Sequence, residues 1–195
     1  MFRPLNDYND LYKKLGVEIV DDQIVNSSVV KLSDYLAEKF HIKMLNNSPQ
    51  VDGFDIAIGE KAIQDFIMQI YYYEHREMGL GVISADNIFV IDTNIFLIGN
   101  VDLLPKVDKY YVNITKPYSR KDIYLPPELK ENNVVPLKLR HISCYYSLGK
   151  IVNHLIFNTP NPSTDLQKVL HFTKLYDCIR RATQENINHR YLLYI

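Results

Sequence analysis

Apolar and polar positions along the chain alternate between two periods. Two short β-rich pieces, VEIV at 17–20 and QIVNSSVV at 23–30, flank Asp21-Asp22 and predict extended segments joined by a turn. LSDYLAEKF at 32–40 then brings Leu32, Tyr35, Leu36 and Phe40 to helical spacing, with Ser33 near the start as a candidate cap. A polar loop with Asn46-Asn47-Ser48-Pro49 and Asp52-Gly53 follows. Next, EKAIQDFIMQIYYYEH at 60–75 puts Ala62, Ile63, Phe66, Ile67 and Ile70 on one face, the clearest helix of the first half, with His75 as a cap at its end. NIFVI and NIFLIG flank Asp92-Thr93 and predict a tight hairpin.

Prolines at 105, 117, 126 and 127 interrupt any period, so 105–127 is expected to be a long loop. YYSLGKIVNHLIF at 145–157 is apolar nearly all round, the pattern of a helix buried at the centre of a helical body. Thr164 and Gln167 form a capping-box pattern ahead of one further amphipathic helix, LQKVLHFTKLYDCIRRA. No internal repeat, low-complexity tract or convincing linker divides the chain.

A length of 195 residues suits one domain or two small units, and 47% hydrophobic residues suffice for a core. The net charge of -1 offers no basic field for a polyanion, so nucleic acid and acidic membranes are excluded as principal partners. No apolar run reaches the ~18 to 20 residues of a spanning helix, and no secretory signal opens the chain. Cys144 and Cys178 lie in helix-like apolar patterns and read as buried free thiols of a reducing, cytoplasmic compartment. Asn-x-Ser/Thr triplets at Asn26, Asn46 and Asn113 therefore carry little weight. The Tyr, Asn, Ile and Lys bias without Trp fits an AT-rich genome, as in parasites, some bacteria and large DNA viruses. The six histidines are scattered, with no Cys or Glu at zinc-site spacing, so neither metal nor cofactor is expected. Asp102, Asp108 and Asp122 read as solvated loop carboxylates, and Tyr118 and Ser119 as ordinary loop residues.

The order of elements and four short motifs resemble the larger lobe of eukaryotic-type protein kinases. Asn87 in ADNIFV is similar to the Asn that ends that family's H-R-D-L-x-x-x-N loop, and the hairpin after it to the one leading to D-F-G. Pro126-Pro127-Glu128 resembles A-P-E, YYSLG the start of the central helix, and Arg190 the arginine that pairs with the A-P-E glutamate. The resemblance implies a mainly α fold, a kinase large lobe with a small β-hairpin, over residues 32–195. Residues 1–31 would be a short extended segment, the remnant of a small lobe and hinge. It also implies an ion pair between Glu128 and Arg190.

The departures from the family bear on function. Val82 falls where the catalytic aspartate would take the substrate hydroxyl's proton, and valine accepts none. Ser84 stands in for the phosphate-steadying lysine, and Asn100 (or Gly99, in a loop one residue shorter) for the metal-binding aspartate. Cys144 or a neighbour replaces the aspartate that braces the catalytic loop. Phosphoryl transfer relies on positioning and charge neutralisation, so these exchanges remove most of its acceleration. No glycine-rich loop or anchoring lysine is found either. The expected function is that of a truncated pseudokinase that acts by binding a protein, similar to the baculovirus kinase-like inhibitors of translation initiation factor 2 kinases. The competing readings are a scaffold or virion component and a weak kinase completed by a partner. A body without its small lobe would leave apolar surface near 1–31, 82–88 and 97–104, to be covered by the N-terminal segment or by a partner.

Overall fold

A computed structural model describes residues 8–21, 23–25, 27–45, 55–99, 101–132 and 134–194. Asp22, Asn26, Asn46 and the polar loop at 46–53 lie outside them. The first helix among the described residues, α1 (Asn9–Lys14), is one that the sequence pattern does not suggest, and it sinks Leu11 and Tyr12 into the main core. After it come β1 (Ile19–Val20) and β2 (Gln23–Ile24), paired across a turn in which Asp21 has φ 50°. β3 (Val29–Lys31) runs straight into α2 (Leu32–Leu45). Ser33 is inside that helix, and its hydroxyl donates to Asp86 Oδ1 at 2.7 Å instead of capping.

α3 (Ile56–Glu74) starts four residues before the expected boundary because Asp55 caps it, accepting from the Ile58 N–H at 3.2 Å. Its inner face carries Ala62, Ile63, Phe66 and Ile70 as the spacing predicts, together with buried Asp65 and Gln69. At its end His75 Nδ1 meets the Tyr71 carbonyl at 2.8 Å.

β5 (Ile88–Ile91) and β6 (Ile95–Ile98) follow β4 (Met78–Leu80) and form the expected hairpin, with both Asp92 and Thr93 at positive φ in the turn. β3 adds to β5, Val29 opposite Ile91 and Lys31 opposite Phe89, while Ser28 donates to Asp92 Oδ1 from its backbone at 2.7 Å. Leu11, Tyr12, Leu15 and Val17 share one core with the hairpin. The N-terminal segment thus covers apolar surface that would otherwise face water.

The loop expected over 105–127 is in its first half a sheet. β7 (Leu103–Asp108) and β8 (Tyr111–Ile114) lie between β4 and β9 (Leu137–Arg140), in the order β4-β7-β8-β9. Pro105 is tolerated because successive strand residues point their N–H groups to opposite sides. Lys106, the next residue, supplies the donor on the β4 side, to Glu77 O at 2.8 Å, and the β7/β8 register shifts between Lys106 and Asp108. Among the described residues there are three antiparallel sheets of two, three and four strands. The chain is therefore mixed α/β. It is not mainly α and does not present a clear kinase large lobe, which corrects the expectation from the motifs. The cause is the weight of β-branched and aromatic residues in 88–98 and 103–114, which pair into ladders once a neighbouring strand is available.

α4 (Pro127–Glu131) precedes β9, and α5 (Ser143–Phe157) runs through the centre, buried at all but Lys150 and His154. The single helix expected after Thr164 is broken. α6 (Thr164–Gln167) gives way to a 3₁₀ turn at Lys168–Leu170, Phe172 takes φ 67°, and α7 (Lys174–Ala182) restarts on Thr173, whose hydroxyl accepts from the Tyr176 N–H at 3.1 Å. Cys144 and Cys178 are free and buried, and burial pushes both thiols up, Cys178 to about 11. No helix among the described residues is long and apolar enough to cross a membrane.

Candidate functional site

The segment 81–87 and the strand-to-loop segment 114–122 face each other across a polar cleft of about 450 Å³. One wall is built by a short turn. Ser84 precedes a 3₁₀ turn at Ala85–Asn87, and Asn87 Oδ1 accepts from both the Ser84 N–H at 2.9 Å and its hydroxyl at 3.0 Å. The Asn87 carbonyl accepts from the Gly99 N–H at 2.8 Å, tying the turn to the end of β6. The Gly81 N–H donates to the Asp102 carbonyl at 2.9 Å and extends the β4/β7 ladder by one bond. Backbone and local amide bonds hold the wall, and the Ser33 hydroxyl on α2 donates to Asp86 at 2.7 Å.

Val82, Ser84 and Asn87 all line this cleft, so three of the four degenerate positions named from the sequence come together. Asn100 lies outside the described residues. Val82 packs at the edge of a small second core formed by Val112, Ile114, Leu125, Leu129 and Leu139. The Cys144 thiol is turned away, donating to the His141 carbonyl at 3.1 Å.

The acidic residues of the cleft have a larger role than the sequence suggests. Asp86, Asp102 and Asp122 all line it, whereas Asp108 is elsewhere, paired with Lys138 at 3.0 Å. Asp102 is neutralised by Lys116 at 2.6 Å. Burial pushes the Asp122 carboxyl above its ordinary value and the negative charge of Asp86 adds to this, against the lowering by the Tyr124 N–H that it accepts at 2.8 Å. Asp86 and Asp122 are 36 positions apart in sequence, and no motif links them. Only the return of the chain after β8 brings them together. The described residues hold no cluster of three His, Cys, Asp or Glu side chains arranged to bind a metal ion.

Tyr118, on the opposite wall, connects the cleft to the buried ion pair. Its hydroxyl donates to the carbonyls of Leu129 at 3.2 Å and Asn132 at 2.7 Å, at the end of α4. At the start of α4, Glu128 receives Arg190 in a two-pronged contact, Nη1 to Oε1 at 2.7 Å and Nη2 to Oε2 at 2.9 Å. The pair that the motifs imply is thus joined across 62 positions. The Arg190 side chain is 0% exposed. Two further donors go to the carbonyls of Gln184 at 2.6 Å and Glu185 at 3.0 Å, the Tyr146 ring centroid lies 5.0 Å from it, and the Ser143 hydroxyl also donates to Glu128. A planar guanidinium that holds one carboxylate and two backbone carbonyls at once is a rigid post.

Chemically, the described lining of the cleft offers carboxylate acceptors, the hydroxyls of Thr115 and Ser119 and one ion pair, with no histidine or thiol among those residues. No protein-family model matches the chain, and no curated protein sequence does.

Proposed function

We propose that this protein acts by binding another protein and performs no phosphoryl transfer of its own. The observation that carries the reading is the pairing of Val82 and Asn87 on one cleft wall. The side chain at the position of a catalytic base packs beside an apolar cluster, and the Asn87 amide oxygen is used within its own turn by Ser84. A proton acceptor and a metal-holding carboxylate are what phosphoryl transfer needs at those places. The kinship with protein kinases proposed here is one of local motifs within a mixed α/β chain, and it makes a host protein kinase the partner and a virus the source. Two buried free thiols fit a cytoplasmic setting.

The surface supports a contact role. Tyr71, Tyr110 and Tyr191 stand 47%, 49% and 60% exposed around two adjoining hollows of about 430 and 730 Å³ that share Glu74 and His141. Tyrosine supplies large contact area at low entropic cost and is enriched at protein interfaces.

Two measurements test the proposal. Purified chain incubated with radiolabelled ATP and Mg²⁺ should transfer no phosphate; transfer that disappears in Asp122→Asn would overturn the non-catalytic reading. Capture from host extract followed by reconstitution from purified components should give a stoichiometric complex with a kinase domain whose activity falls. Reconstituted partners that include no kinase would end the partner assignment.

A further inference from the structure

Between the 3₁₀ turn at Lys168–Leu170 and α7 the chain reverses through two anchored residues. Leu170 is buried, and Thr173 donates both its N–H (3.0 Å) and its hydroxyl (2.6 Å) to the Leu170 carbonyl while capping α7. Phe172 is held between them at φ 67°, a conformation that glycine adopts freely and a bulky side chain does not. Its ring stands in water, at 104% of its reference area. A single exposed apolar side chain needs no explanation, but this one combines backbone strain with full exposure, which the packing of the chain does not require.

A cavity of about 230 Å³ lies beside this knob, between α5, the 3₁₀ turn and α7. Leu170 and Tyr176 both line it, and the His171 ring is 4.7 Å from the Tyr176 ring and 6.2 Å from that of Phe172, so an aromatic strip joins knob and hole. Ile179 completes the apolar wall. Much of the polar rim is engaged within the chain: Thr183 donates to the Ile179 carbonyl at 2.9 Å, Gln184 to the Arg180 carbonyl at 2.8 Å and Gln167 to the Pro162 carbonyl at 3.4 Å. Arg180 pairs with Asp177 at 3.3 Å, and the Glu185 carboxylate acts electrostatically on Lys150 and Tyr146. A cavity of about 150 Å³ takes benzene, so this one admits a phenyl ring. The remainder exceeds the ~30 Å³ share of one water, enough to keep Asn153 and the second N–H of each glutamine hydrated.

We propose that two copies of this chain associate, Phe172 of each entering the cavity of the other. A knob and its hole on one patch make the contact self-complementary, so the same pair of contacts is made twice and the assembly closes at two copies. Val169, 46% exposed on the turn before Phe172, adds apolar area to the patch, and Arg180 offers the incoming ring a cation–π partner. A net charge of -1 sets up little long-range repulsion between copies. The cavity shares no lining residue with the polar cleft, so this contact is independent of the protein-binding role proposed above.

Sedimentation velocity of the full chain, from micromolar to high micromolar concentration, should show a reversible monomer–dimer equilibrium. Phe172→Gly should weaken it by about thirtyfold or more, the loss expected of an aromatic anchor. The same variant should leave the thermal midpoint of the monomer unchanged or raise it, because glycine takes this backbone conformation without strain. A residue needed for the fold would lower it. The hole is located by adding unlabelled natural chain to ¹⁵N-labelled Phe172→Gly, which keeps the cavity and lacks the knob. The Tyr176 and Thr183 amides should shift, and should stay in place when the added chain is unlabelled Phe172→Gly. Phe172→Ser repeats both measurements with a side chain retained at the position. A chain that stays monomeric throughout, a dimer that both variants leave intact, or shifts confined to residues away from the cavity would overturn the proposal.

Discussion

Gln69 completes the edge of the three-stranded sheet at Ile98. Its Oε1 accepts from the Ile98 N–H at 2.8 Å while its Nε2 donates to the Phe96 carbonyl at 2.8 Å, so one side chain of α3 replaces a neighbouring strand. Asp65, one turn earlier, accepts from the Phe96 N–H at 3.0 Å. Edge strands expose unpaired backbone groups, and here the helix packed on the sheet satisfies them. Gln69→Leu would leave one buried donor and one buried acceptor unpaired. A loss of about 2–6 kcal/mol is expected, at roughly 1–3 per group. Urea unfolding measures it, with the partly exposed Met68→Ala as a neighbour expected to change stability by less than ~0.5 kcal/mol.

The Glu128–Arg190 pair should behave as a buried charge post. Arg190→Met strands Glu128 and is expected to cost about 3–5 kcal/mol. In the double variant Glu128→Leu/Arg190→Met some of that loss should return, but not all, because Arg190 also holds the carbonyls of Gln184 and Glu185. A double-mutant cycle by thermal or urea unfolding reads the coupling; single losses that simply add would contradict it.

Glu74 should give stability a dependence on acid. Burial raises its pKa, but the hydrogen bonds from His141 at 3.0 Å and the Tyr145 hydroxyl at 2.9 Å, with the charge of His141 and Lys106, outweigh it and leave a net lowering. With the folded value below the ordinary 4.5, the contribution is present above that value and is lost as pH falls through the folded one. Urea midpoints at about pH 7 and about pH 3 should therefore differ less for Glu74→Gln than for the natural chain.

Gly59 lies in α3 where alanine would ordinarily favour a helix. A Cβ there would sit 2.5 Å from Ile156 Cγ1 and 2.6 Å from its Cδ1 on the central helix. Gly59→Ala is expected to destabilise by about 1–3 kcal/mol as an overpacking change, and Gly59→Ala/Ile156→Val should recover some of it. Thermal unfolding of the three proteins decides this.

How much of this is legible in the chain follows from the range of each interaction. The helical face of α3, the Asp92-Thr93 hairpin and the all-round apolar central helix depend on neighbours within a few positions, and their spacing alone carries them. Residues 103–114 read as a loop because a proline in an isolated window looks like a breaker. Whether Pro105 breaks a strand depends on which side its nitrogen faces, and that is set by β4 some 25 positions earlier. α1 escapes the pattern for a similar reason: six residues are too few to show a period, and only the core that receives Leu11 and Tyr12 stabilises them. The pairing of Glu128 with Arg190 follows from motif order, whereas the meeting of Asp86 with Asp122 has no local signature.

The amino-acid order by itself determined the local periods, the hairpin turn at Asp92-Thr93 and the absence of a charged residue at position 82. Tertiary structure decided which strands pair, where Asp65 and Gln69 discharge their polar groups, and that Asp86 and Asp122 line one cleft. The physical reason is that hydrophobic period and turn chemistry act over one or two turns of chain, while a buried hydrogen bond or charge is satisfied by whatever distant backbone the packed core brings within about 3 Å.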